Sequence, residues 1–248
     1  MDIFLPALKI GICAIFAVIS TRYQFLDGSG TIAATAIGLV IIFAGGIGWF
    51  VLLLIFLLLG IAATKYRYKY KERKGLHERG NGMRKARNVL ANGMLPAVTA
   101  LLTPLFSRGE MAVPFAAAIA VATADTFASE LGVLSDRVYL ITSLRRTDVG
   151  TNGGVSWLGE AAALLGGIAI AIPAVILLGL DVIWLPFIAA VGFLGCQIDS
   201  LLGATMQGGE IGTEEQLPSD AVLTNSDVNL LSIAIAALIA FVYAVLLF

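Results

Sequence analysis

The sequence predicts an all-α fold, a polytopic membrane helical bundle of about eight transmembrane helices with a polar site at the cytoplasmic side. Three observations carry this. Of 248 residues, 58% are hydrophobic and 13% charged, and the mean hydropathy is +0.92, a balance that suits bilayer spans and excludes an ordinary soluble globule. The apolar residues come in blocks of roughly bilayer length, separated by turn-forming or charged stretches. All sixteen Lys and Arg lie at or before Arg146, and the residues beyond it carry only acidic charges. Basic loops mark the cytoplasmic side, so orientation is readable from this asymmetry.

A first span is expected from Ile3 to Ser20. Asp2 precedes it with no basic segment, so a cleaved signal peptide is not expected. The apolar block from Thr31 to Thr64 is long enough for two spans, turning at Gly45-Gly46. Residues 65–87 form the most basic loop. Asn88 to Phe106 is apolar but interrupted by Asn92-Gly93, Pro96 and Pro104, so this fourth span either crosses or re-enters. Spans five to eight are expected at Met111–Gly132, Leu158–Leu180, Val182–Thr205 and Val228–Phe248. A Gly-rich loop (133–157) and an acidic loop (206–227) separate them. Eight crossings gather these polar loops on one face, with both termini outside, in one transmembrane domain over residues 1–248 of a multi-pass protein of the cell membrane. Cys13 and Cys196 sit alone in apolar segments and read as core residues without a disulfide. An Asn-Gly followed downstream by an Asp-Thr or Asp-Ser in each half hints at an internal duplication.

Chemistry points first to Asp125. It lies inside a span, where ionisable groups are costly and mark functional sites. At roughly 100° per residue, Ala118, Ala122, Asp125, Ser129 and Gly132 share one face, as do Gly192, Gly195, Asp199 and Gly203. Small-residue stripes let membrane helices approach closely, so the two are expected to pack and bring Asp125 and Asp199 to a shared site. Together with Glu130 they supply hard oxygen ligands, which suit Mg²⁺ held with a nucleotide phosphate. Glu130 is about 140° around the helix from Asp125. Either the helix loosens there or Glu130 pairs elsewhere, with Arg145 or Arg146 as candidates.

Three polar clusters are expected to meet these carboxylates. Arg84, Arg87, Asn88 and Asn92 fall at helical intervals beside a helix start, a donor row suited to phosphate oxygens. The neighbouring run from Lys65 to Lys74 is better explained as an anchor to anionic lipid headgroups. Arg145 and the turn Gly150-Thr151-Asn152-Gly153-Gly154 precede span six and read either as an anion nest or as an ordinary loop. Ser200 and Gln207 follow Asp199, and Asn225, Ser226, Asp227 and Asn229 open span eight. Glu210, Glu214, Glu215 and Asp220 read as a solvated acidic loop, and Glu160 as a helix-dipole partner. His77, the sole histidine, sits among basic residues and offers no catalytic base, and no zinc site or Ser-His-Asp set can be assembled.

The ordered set Arg84-x-x-Arg87-Asn88-x-x-x-Asn92-Gly93, Asp125-Thr126-x-x-Ser129-Glu130-x-Gly132, Gly150 to Ser156, and Asp199-Ser200-x-x-Gly203-Ala204-x-x-Gln207 resembles the integral-membrane phytyl-phosphate kinase family over nearly the whole chain. That resemblance implies a membrane kinase moving a phosphoryl group from a nucleoside triphosphate, CTP by preference, to an isoprenyl monophosphate such as phytyl or geranylgeranyl phosphate. By position it makes Asp125, Glu130 and Asp199 the Mg²⁺ and catalytic carboxylates. Arg84, Asn88, Asn92 and Thr151 to Gly154 become nucleotide or phosphate contacts. The partners implied are these two substrates and membrane lipid, with no nucleic acid. Two other classes compete: a cation-coupled secondary transporter with deep carboxylates, and a CTP-dependent lipid-phosphate cytidylyltransferase that would release pyrophosphate.

Overall fold

The computed structural model describes residues 4–76, 83–207 and 222–247. His77 and the acidic residues Glu210, Glu214, Glu215 and Asp220 lie outside them. Eight long helices carry the chain: α1 Phe4–Arg22, α2 Gly28–Ala44, α3 Ile47–Lys65, α5 Ala86–Leu101, α6 Arg108–Gly132, α7 Trp157–Leu178, α8 Trp184–Met206 and α9 Asn225–Leu247, with a short helix α4 at Tyr68–Arg73. Six of the long helices have the length and hydropathy to cross a membrane, while α2 is a shorter apolar helix.

Local signals set the helix ends. Asp27 caps α2 by accepting from the Gly30 N–H at 2.7 Å. Ser107 and Glu110 form a reciprocal capping box at the start of α6, and Ser156 caps α7 through the Gly159 N–H. Gly45 and Gly46 make the expected turn between α2 and α3, with Gly46 at φ 96°, where L side chains are disfavoured.

The fourth apolar segment forms one continuous helix. Helix α5 runs through both Asn92-Gly93 and Pro96 without breaking, because Gly93 serves close approach: a Cβ there would lie 2.8 Å from the Ile37 Cδ1 of α2. At one end of α5, Arg87 reaches Thr224 beside α9, and just beyond the other end Arg108 donates to the Gly45 carbonyl. The Gly45 contact and the Asp27 N–H to Arg84 carbonyl bond lay α5 along the full length of α2 in the same direction.

Helix α6 is the axis of the bundle. Every residue from Met111 to Ala124 is buried, and α3, α5, α7, α8 and α9 all pack on it. The partners approach over small residues. Gly166 of α7 lies against the Ala124 backbone, and Gly192 and Gly195 of α8 lie against Ala120 and Val121. By contrast α1 packs mainly on α2 and is largely exposed to the surroundings.

The Gly-rich loop is not wholly irregular. Three short antiparallel strands, β1 Val138–Leu140, β2 Arg146–Thr147 and β3 Gly154–Val155, pair in the order β2-β1-β3. This miniature sheet was not expected in an all-α fold. Its strands are two or three residues long, too short for an alternating pattern to register. Cys13 and Cys196 are buried and free, as read from the sequence.

Candidate active site

The small-residue faces of α6 and α8 bring Asp125 and Asp199 together, their carboxyl groups within hydrogen-bonding reach of each other. Asp199 is buried and Asp125 half-buried. Helix α9 completes the setting of Asp199. Ser232 Oγ donates to Asp199 Oδ2 at 2.8 Å, and the Asn229 amide nitrogen, oriented toward its acceptors, lies 3.3 Å from the same oxygen and 3.0 Å from the Asn225 carbonyl.

Arg84 arrives from outside the helices. The strap before α5 is zipped to the turn before α2, with the Asp27 N–H donating to the Arg84 carbonyl at 3.2 Å and a parallel bridge between Leu26 and Arg84. This holds the Arg84 guanidinium over the Phe56 ring at 5.5 Å and against Gly60, where a Cβ would lie 2.5 Å from Nη2. Arg84 is buried and interacts electrostatically with Asp125. Asn88 and Asn92 continue the same row on α5, and the Asn92 amide donates to the Asn88 carbonyl at 2.8 Å. The three residues line the polar end of an open groove whose walls are otherwise apolar and come from α1, α2, α3 and α5.

Arg87 leaves this row. It reaches Thr224 and lies 3.7 Å from Asp227, joining α5 to the first turn of α9. The Gly-rich loop docks on the end of α8. Gly153 has φ 68°, and a Cβ on it would lie 2.6 Å from the Ser200 carbonyl. Gln207 Nε2 donates to Asn152 Oδ1 at 3.2 Å. Gly154 lies in β3, and Thr151 turns inward on its own loop, donating to the Asp148 carbonyl at 2.8 Å. Arg145 is exposed, its backbone paired within the loop. Ser129, one turn from Asp125, is exposed and donates to the Thr126 carbonyl at 3.2 Å.

Glu130 stands apart from the aspartates. Its partners are neither Arg145 nor Arg146 but Lys71 of α4 and Thr64 of α3, the latter donating to Oε1 at 2.8 Å. The Lys71 ammonium also donates to the Thr64 and Ala63 carbonyls at the end of α3. The helix did not loosen, so the 140° separation stands and Glu130 is taken out of reach of the pair. Among the described residues no cluster of three or more His, Cys, Asp or Glu is placed to hold a metal. Two facing carboxylates remain, and this is a donor set that fits Mg²⁺, which commonly takes one or two carboxylates and completes its shell with water and substrate phosphates.

Two contacts escaped the sequence reading. Ser232 falls on the helical face of Asn225 and Asn229, an i, i+4, i+7 stripe that the sequence displays. Glu160 is more than a dipole partner, since it accepts from Gln197 of α8 at 2.8 Å.

A membrane-embedded helical bundle with a carboxylate pair near the end where its polar loops converge defines the class. The family description "Integral membrane protein DUF92" matches residues 11–237, and the chain belongs to that family, the one to which the four ordered motifs pointed. An uncharacterized membrane protein of Methanocaldococcus jannaschii is 30% identical over 92% of this chain and 90% of its own length. Protein PGR of Arabidopsis thaliana is 29% identical over 96% and 95%. Protein VTE6, chloroplastic, of the same plant is 29% identical over 87% of this chain and 64% of its own length. No solved structure matches the chain.

Proposed function

We propose that this multi-pass membrane protein is a kinase that transfers the γ-phosphoryl group of a nucleoside triphosphate, CTP by preference, to an isoprenyl monophosphate such as phytyl or geranylgeranyl phosphate. The observation that carries the reading is the convergence of Asp125, Asp199 and Arg84 from three separate parts of the chain at one end of the bundle. The resemblance of the four motifs to the phytyl-phosphate kinase family supports it.

The chemistry asks little of a general base, because a phosphate acceptor is already anionic near neutral pH. An acceptor phosphate oxygen attacks the γ-phosphorus, a new P–O bond forms, the bond to the β–γ bridging oxygen breaks, and the nucleoside diphosphate leaves. Catalysis then rests on positioning and charge neutralisation. Asp125 and Asp199 would hold Mg²⁺, which when bound neutralises charge on the transferring phosphates. Ser232 and Asn229 hold the Asp199 carboxylate in orientation. Arg84 supplies positive charge beside Asp125 from a buried position. The loop of Asn152 and Gly153 on the end of α8 offers backbone and amide groups to the nucleotide. In this reading the polar loops face the cytoplasm, as the basic residues favour.

The test is a product assay on purified protein in detergent with Mg²⁺, CTP and geranylgeranyl monophosphate, identifying products by mass. Geranylgeranyl diphosphate with CDP is expected. A CDP-linked lipid with pyrophosphate would replace the kinase by a cytidylyltransferase. No turnover with any nucleotide or prenyl phosphate would move the reading to a cation-coupled transporter.

A further inference from the structure

Resting on the kinase reading, we infer that the groove between α2, α3 and α5 seats the apolar chain of the acceptor, and that Arg84, with Asn88 and Asn92, receives the acceptor's phosphate at its mouth. The groove's walls include Phe16, Ala34, Ile37, Phe50 and Leu53, and its polar lining is confined to Arg84, Asn88 and Asn92. Asn88 and Asn92 lie one turn apart on α5, and Arg84 lines the same groove from the strap just before that helix, so the polar lining forms one edge and not a scatter. The occupant is therefore amphiphilic, with one long apolar chain and a small polar head.

The sign of the head follows from Arg84. This side chain is 7% exposed, and among the described residues no carboxylate oxygen lies within 4.0 Å of it. Asp125 acts on Arg84 through space and not as a direct ion pair, so the guanidinium fork is left for a ligand, and a phosphomonoester at the mouth supplies a partner in the planar geometry it suits. Arg84 also faces Asp125 electrostatically, so a phosphate held there lies beside the carboxylate pair. From Gly60, which abuts Arg84, to Phe50 the α3 wall runs about 15 Å at 1.5 Å per residue, leading the chain away from the reacting end. The arrangement separates two phosphate positions. Acceptor contacts come from the Arg84 side, and nucleotide contacts come from the α8 end with the Gly-rich loop.

The experiment uses the full chain in nanodiscs and a geranylgeranyl monophosphate carrying a diazirine at the end of its chain. After irradiation, labelled peptides are mapped with and without competing geranylgeranyl monophosphate, phosphatidic acid or the uncharged alcohol. Label is expected on the peptides of Phe16, Ile37, Phe50 or Leu53, displaced by the monophosphate and not by phosphatidic acid or the alcohol. Ala34→Phe fills the groove from α2. It should cut labelling and raise the acceptor KM by about tenfold or more, the scale of steric discrimination in an apolar pocket, with the nucleotide KM within about twofold. Leu54→Phe, from the α3 wall, gives the same readout should the first variant fail to fold. Label on α7 or α8, displacement by phosphatidic acid, or unchanged labelling in folded Ala34→Phe and Leu54→Phe overturns the assignment. Displaceable groove labelling without turnover keeps the groove and removes the kinase. Turnover with label elsewhere keeps the kinase and removes the groove.

Discussion

Asp125 and Glu130 stand five residues apart on α6 in opposite electrostatic settings. Glu130 is neutralised by Lys71 and held by Thr64, so its charge is spent on fastening α4 and the end of α3 to the central helix. Asp125 faces a second carboxylate, and among the described residues Arg84 is the cation that acts on it. One carboxylate is compensated within the chain, while the other belongs to a pair whose charge asks for a ligand. A carboxylate in a membrane helix marks a working site only after its partners are known.

Substitution should separate the two roles. The largest effect is expected from Asp125→Asn and Asp199→Asn, each lowering turnover by about a thousandfold with unchanged helix content and gel-filtration profile. Kinase activity retained in both would sink the paired-carboxylate site. Glu130→Gln should act on stability instead, by about 3–5 kcal/mol, because it leaves the Lys71 ammonium buried without its counter-charge. The double variant Lys71→Met with Glu130→Leu should recover most of that loss in a denaturation series, and failure to recover would mean the cluster does more than fasten α4.

Gly153→Ala should fall between these roles. The residue sits at φ 68° against the Ser200 carbonyl, and a side chain in that conformation costs about 1–2 kcal/mol before any clash is counted. The loop should lift from α8, weakening nucleotide binding in calorimetry while leaving acceptor labelling intact. The smallest effect is expected at Asp27. Asp27→Ala should cost about 1 kcal/mol through loss of the α2 cap. The Gly30 N–H first, and then the Ser29 hydroxyl, hold the Asp27 carboxyl below its ordinary pKa. Its contribution is therefore complete above the ordinary carboxylate pKa and disappears as pH falls through the lowered one. Melting curves of wild type and Asp27→Ala should converge in acid and separate toward neutrality, and a constant gap would dismiss the cap as the cause.

Much of this was legible in the sequence because bilayer spans are long and their breaks are chemical. Gly45-Gly46 and the small stripe around Asp199 each predict a local outcome that the fold contains. Asp125 and Asp199 were readable as a pair because glycine on one helix implies close approach of another. The partner of Glu130 was not, since Lys71 lies in a basic run where every residue looks alike and only tertiary packing picks one to bury. The three-strand sheet escaped for want of length. The groove was invisible for another reason: its walls come from four helices, and nothing in any one helix reveals the space between them.

The poly-alanine character of the middle of α6 has a mechanical consequence. Ala112, Ala116, Ala117, Ala118, Ala120, Ala122 and Ala124 are all buried, and alanine has no rotamers to lose on packing or to change afterwards. The rod that carries Asp125 therefore has little side-chain slack with which to absorb a perturbation. An added methyl group there must displace a whole neighbouring helix, so the register of the carboxylate pair is set by how closely backbones touch some way down the rod.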